Sequence, residues 1–223
     1  MRVIAGKYRS RVLKSALKLR LRPTSDRLRE TLFNVLGALV EDSLFVDLFA
    51  GTGAVGIEAI SRGAREVVFI ESHAAGVGLI RRNLESLGIH AGAEVIEADA
   101  VRGLETLSAQ RLAADFIFLD PPYENEEDYV RVLEFLDTSH LIAPRGLVIA
   151  EHRNSMELPE GFDRLECFRI REQGDASLSF YRLAAAAIGL SGIRGCSFTS
   201  GVAATLSGPG VFSLFAISGA VTS

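Results

Sequence analysis

Short apolar runs alternate with helical patterns of ten or so residues along most of this chain, and few folds accept that alternation. Residues 44–49, 66–70, 94–97, 115–119 and 147–150 read as strands. Between them, residues 55–61, 74–87, 101–107 and 126–136 read as helices, with Gly63 and Gly88 closing the first two. Phe116-Ile117-Phe118-Leu119 has no polar side, as a strand covered on both faces requires. Strands separated by helices form a parallel sheet with helices on both faces. Right-handed crossovers then place a ligand cleft at the carboxyl ends of the strands. Residues 162–170 and 177–183 have no helix between them and are expected to pair antiparallel. Upstream, Leu28, Leu32, Val35, Leu36 and Leu39 recur at three- and four-residue intervals, which predicts a helix over 24–39 capped by Thr24 or Ser25.

A chain of 223 residues can bury a core without disulfides or metals. Cys167 and Cys196 form no CxxC pair, which favours a reducing, cytoplasmic setting. His73, His90, His140 and His152 are scattered, so no metal site is expected. The overall charge of −4 conceals an asymmetry. Residues 1–22 hold eight Lys/Arg and no acid: Arg2, Lys7, Arg9, Arg11, Lys14, Lys18, Arg20 and Arg22. Such segregation points to a polyanionic partner. A transit peptide has a similar composition. Val3-Ile4-Ala5 and Arg11-Val12-Leu13 around Gly6-Lys7-Tyr8 read instead as a short hairpin. Residues 184–223 break with everything before them, carrying seven glycines and a single charge, Arg194. Their apolar stretches fall short of the ~18–20 residues of a membrane span. They read as a poorly ordered tail, or else as a small appendage or oligomer contact. The expected division is a basic hairpin and helix over 1–40, an α/β domain over 41–183, and this tail.

Asp47-Leu48-Phe49-Ala50-Gly51-Thr52-Gly53 follows a strand and opens a helix. Glycines there let a ligand approach the backbone closely. Extended to Gly56, the segment also satisfies GxGxxG, with Glu71 twenty residues beyond Gly51, so a nicotinamide dinucleotide is one candidate ligand. The acids favour another. A carboxylate at Asp47 repels a pyrophosphate but suits an ammonium group. Glu71 suits ribose hydroxyls, and Asp99 offers an acceptor to an adenine amino group. A zwitterionic, sulfonium-bearing nucleoside fits this series better than a dinucleotide.

Asp120-Pro121-Pro122-Tyr123 ends a strand at the same edge. Two prolines fix φ and remove two N–H donors, leaving a rigid turn that presents carbonyls. A simple strand stop would need no more than that. A base's exocyclic amine, however, is a poor nucleophile. Acceptors on its two hydrogens, the Asp120 carboxylate and the Pro121 carbonyl, would favour the positive charge that develops during methyl transfer. Tyr123 can stack on an unstacked base, a contact worth ~1–3 kcal/mol.

The Asp-x-Phe-x-Gly-x-Gly loop and Asp-Pro-Pro-Tyr resemble the first and fourth motifs of class I amino-methyltransferases. Ile4-Ala5-Gly6-Lys7-Tyr8-Arg9-Ser10-Arg11, the run Arg22-Pro23-Thr24-Ser25-Asp26-Arg27-Leu28-Arg29-Glu30-Thr31-Leu32-Phe33-Asn34, and Gly174-Asp175 with Ser177-Leu178-Ser179-Phe180-Tyr181 narrow the resemblance. It is then to the RsmD-type 16S ribosomal RNA guanine-N2 methyltransferases, over residues 1–183. The resemblance implies a Rossmann-like, seven-stranded, mostly parallel sheet, S-adenosylmethionine as methyl donor, and a guanine of small-subunit rRNA as acceptor. Asp47, Phe49, Gly51, Gly53, Glu71 and Asp99 match the donor site; Asp120, Pro121 and Tyr123 match the catalytic turn. Arg9, Arg11, Arg22, Arg27 and Arg29 are expected to face RNA, in a monomer needing neither metal nor membrane. The competing expectations are an N6-adenine or other amino-methyltransferase, a nicotinamide-dependent oxidoreductase, and a non-catalytic RNA-binding module.

Overall fold

β1 (Leu44–Leu48) is buried at all five positions, so it must lie between neighbours on both edges and under helices on both faces. The computed structural model, which describes residues 1–15, 26–122 and 125–185, places it so. Beside it lie β2 (Glu66–Glu71) and β4 (Ala114–Leu119), both parallel to it. β3 (Ala93–Glu97), β5 (Ile142–Arg153), β6 (Leu165–Gln173) and β7 (Ala176–Leu183) complete the order β3-β2-β1-β4-β5-β7-β6. β7 runs antiparallel to both β5 and β6.

The helices divide between the two faces. α1 (Asp26–Leu36), α2 (Ala54–Ser61) and α3 (Ala74–Leu87) contribute Leu28, Leu32, Ile57, Ile80 and Leu84 to one core cluster with Phe45, Phe69 and Phe118. α4 (Ala100–Ala109) and α5 (Glu126–Thr138) contribute Leu104, Leu107, Tyr129 and Leu133 to a second with Val46, Ile117 and Val148. This is the three-layer α/β architecture expected from the alternation. Among the described residues no helix is long and apolar enough to cross a membrane.

Several boundaries differ from expectation for local reasons. The helix expected over 24–39 stops at Leu36, because Gly37 turns to φ 56° and a 3₁₀ turn follows over Gly37–Val40. That turn buries Val40 and leaves Leu39, expected in the core, 70% exposed. The expected caps Thr24 and Ser25 lie outside the described residues. β5 is three times the length predicted. Pro144 and Arg145 interrupt its apolar pattern, and a register shift opposite Ala114 and Phe116 absorbs the irregularity. Beyond Ala150 its polar residues pair with β7.

The N-terminal segment forms a hairpin-like loop with one bridge, Arg2 to Val12, where two short strands were expected. Val3 and Leu13 point inward and are almost wholly buried, worth ~1.5–3 kcal/mol apiece. A Cβ at Gly6, whose φ is 78°, would overlap the Ser61 carbonyl. Only glycine lets the loop lie this close to α2. The tail lies largely outside the described residues, which stop at 185.

Candidate active site

The sheet order reverses between β1 and β4: from β1 the chain moves outward to β2 and β3, then returns to β4 on the other side. Such a switch point leaves a crevice at the strand carboxyl ends. Both motifs open into it, since Leu48 is in register with Leu119 and strands stand ~4.8 Å apart. The residues after Leu48 form the glycine loop; those after Leu119 form the proline turn.

β1 ends where Phe49 takes φ 58°, a left-handed conformation that costs a non-glycine residue ~1–3 kcal/mol. Gly51 and Gly53 follow at φ 53° and 75°, and α2 begins immediately after. The loop is tied down by Ala50 N–H donating to the Ile70 carbonyl at 3.1 Å and Gly53 N–H to the Ala50 carbonyl at 2.7 Å. Gly56 has a different task. A Cβ there would overlap the Phe69 ring, so this glycine lets α2 lie on β2.

The acids expected at the donor site are each engaged with backbone. Asp47 lies buried beneath the loop, its Oδ2 accepting from Gly56 N–H at 2.9 Å. Burial, aided by repulsion from the nearby Glu71, pushes its pKa up to about 8 despite the Gly56 hydrogen bond. A buried carboxylate held this way regains its charge when a cation is brought beside it. Glu71 is also buried; Oε2 accepts from Gly51 N–H at 2.8 Å and Oε1 from His73 N–H at 2.8 Å. Asp99 is the N-cap of α4, accepting from Val101 N–H at 3.1 Å, with its side chain 48% exposed. The three carboxylates therefore stand at the carboxyl ends of β1, β2 and β3, spanning half the crevice.

On the other side, Asp120 is half-buried and Pro121 buried, while the Pro122 carbonyl accepts from Asn125 N–H at 2.8 Å. Tyr123, expected to stack on a base, lies outside the described residues. So does Arg22 among the expected RNA contacts. Arg9, Arg11 and Arg27 are exposed, together with Arg2, Lys7 and Lys14. Arg29 is corrected by the structure. It is fully buried, with Nη2 donating to the Arg2 carbonyl at 2.8 Å and to Asp26 Oδ1 at 3.0 Å. A guanidinium spent on fixing α1 to the basic segment is not available to RNA.

Sequence reading also missed what holds the basic segment in place. Glu58, wholly buried on α2, accepts from Ile4 N–H at 2.7 Å, Ala5 N–H at 3.0 Å and Arg62 Nε at 2.8 Å. Ser61 Oγ accepts from Tyr8 N–H at 2.9 Å. Asn83, wholly buried on α3, accepts from Lys14 N–H at 2.8 Å and donates to the carbonyls of Lys14 at 3.1 Å and Thr52 at 3.0 Å. One amide thus joins the exit of the basic segment to the glycine loop. The available signal was an Asn within the buried stripe Val77, Ile80, Leu84 and Leu87. Glu151, almost wholly buried at the end of β5, was likewise unforeseen; Leu119–Ala150 register sets it beside Asp120.

A seven-stranded sheet of this order, with an acid-backed glycine loop facing an Asp-Pro-Pro turn, defines a Rossmann-like methyltransferase domain. The sequence model of the family described as Conserved hypothetical protein 95 matches residues 1–182. The chain belongs to that family, the RsmD-type methyltransferases. It is 34% identical over 182 residues to YlbH of Bacillus subtilis, covering 82% of this chain and 98% of YlbH. It is 34% identical over 170 residues to the Ribosomal RNA small subunit methyltransferase D of Haemophilus influenzae, covering 74% and 86%. Among solved structures, a Thermus thermophilus protein described as hypothetical superposes with a TM-score of 0.71 at 31% identity, over 82% of this chain and 99% of that one.

Proposed function

We propose that this chain methylates the exocyclic N2 amino group of a guanine in small-subunit ribosomal RNA, with S-adenosylmethionine as donor. One observation carries the reading: the carboxylate-backed glycine loop and the Asp120 turn end adjacent strands at the switch point, so a donor and an acceptor amine bound there would meet. The residues fit a zwitterionic donor. Asp47, held near pKa 8 by burial, is poised to ionise against an ammonium group, while Gly51 and Gly53 give the loop above it the left-handed turns it needs. When bound, the donor supplies an electrophilic methyl on a sulfonium.

The chain's own part is orientation and electrostatics. The Asp120 carboxylate and Pro121 carbonyl accept from the two amine hydrogens and stabilise positive charge as the nitrogen attacks. Tyr123 supplies a stacking face for the extruded base. The methylated amine sheds its proton readily, so no obligatory base is assigned. The exposed cations of the basic segment bind rRNA phosphates, and an rRNA substrate implies work in the cytoplasm. The names of the relatives support the ribosomal substrate.

The test supplies labelled S-adenosylmethionine with 16S rRNA or 30S particles and identifies the modified nucleoside by mass spectrometry. N2-methylguanine is expected. N6-methyladenine alone, or transfer to DNA alone, would overturn the acceptor; S-adenosylhomocysteine failing to bind where NAD binds would overturn the class.

A further inference from the structure

The exit of the basic segment and one flank of α3 border a groove of about 580 Å³, lined by Lys14, Ser15, Ala74, Ala75, Gly78, Leu79 and Arg82. Its composition is unusual for an acidic chain. Lys14 and Arg82 stand on it together, both exposed, and among the described residues neither is ion-paired. The floor carries nothing larger than a methyl at Ala74, Ala75 and Gly78. Arg82 leans over that floor: a methyl group built at Gly78 would stand 3.4 Å from Arg82 Nη1.

The backbone of Lys14 is fixed by α3. Buried Asn83 binds both backbone groups of Lys14, so the main chain from which this side chain springs is held in one place. The same amide reaches Thr52 in the glycine loop at 3.0 Å. Arg11 adds to this by donating from Nη2 to the Ser86 carbonyl, laying the segment along α3. The groove is thus referenced to the loop through a single rigid side chain. A floor of small residues flanked by two exposed cations suits a sugar-phosphate strand, which needs close approach and charge but no apolar pocket.

We infer that this groove is a phosphate subsite. It holds the RNA backbone at a distance set from the glycine loop. The inference rests on RNA being the substrate. It extends the RNA-binding surface from the basic segment onto α3, through a residue outside the charged N-terminus.

The experiment compares Lys14→Ala, Arg82→Ala and the double variant with the intact chain. Binding of a 16S rRNA transcript is titrated between about 50 and 200 mM salt. Each variant should weaken binding, raise the KM for RNA, and flatten the log–log salt slope by ~0.7–0.9, with the double variant losing about twice that. S-adenosylhomocysteine affinity measured by calorimetry should match the parent, which shows the fold and loop intact. A double variant with the parent's slope, in an enzyme that still methylates the transcript, overturns the subsite alone. A parent chain that neither binds nor methylates the transcript overturns the proposed function with it.

Discussion

Asp47 and Asp120 are carboxylates at the ends of adjacent strands, and they differ in burial. Asp120 is half-buried and lies at the turn proposed to receive the amine. Asp120→Ala should lower methyl transfer by roughly 10²–10³-fold, the scale of one lost transition-state contact. S-adenosylhomocysteine binding should persist; parallel loss of both would assign Asp120 to the donor site. Asp47 tests the fold as well as the site. Its carboxyl shifts from the usual 3.8 to about 8, mainly through burial. The unfolded chain releases this proton near pH 4, whereas the folded chain keeps it until about pH 8. Its stabilising effect is therefore complete below about pH 4 and drains away as the pH rises towards 8. Asp47→Asn removes the titration while retaining an acceptor for Gly56 N–H. In urea unfolding of the free protein, the variant should gain on the parent steadily from about pH 5 to pH 8 and no further above it. A gap constant with pH would refute the raised pKa.

At the scale of elements, the basic segment is held by α2 and α3 through three buried polar side chains as well as by Val3 and Leu13. Glu58 accepts two of its backbone N–H groups. Glu58→Ala leaves those donors and Arg62 without their acceptor and should cost roughly 3 kcal/mol. Proteolysis within residues 1–14 should quicken far more than cleavage of the sheet; equal quickening would mean that the segment and sheet unfold together. The elements differed in how readily they could be read from sequence. α3 was legible to the residue over 74–87, since its apolar stripe is regular and Gly88 closes it at φ 69°. β4 was legible because it is apolar throughout. β5 was not: its last three residues, Glu151, His152 and Arg153, are polar and are held by pairing with β7, a contact that periodicity cannot report. Both motifs of the crevice were visible because their spacing is local. Arg29, Asn83 and Glu58 act on backbone far away in sequence, so nothing beside them revealed the partner. A charged residue on an amphipathic helix reads as solvated until its face is known.

For the whole molecule, the family match ends at residue 182, and β7 ends at Leu183. A chain stopped after Ala185 should fold, bind S-adenosylhomocysteine and transfer methyl groups as the full chain does. A loss of activity with the fold retained would assign the removed residues to the substrate. Stopping about ten residues earlier should be ruinous, because β7 lies between β5 and β6 in the sheet. That position has a consequence for how the protein is made. A ribosome delivers β5 and β6 before the strand that joins them, so each waits with an open edge while the rest of the sheet is assembled. The newborn chain is most exposed to mispairing just before Leu183 emerges. An enzyme whose proposed substrate is the ribosome's own RNA thus depends, for its last step of folding, on that machine releasing the last strand of its sheet.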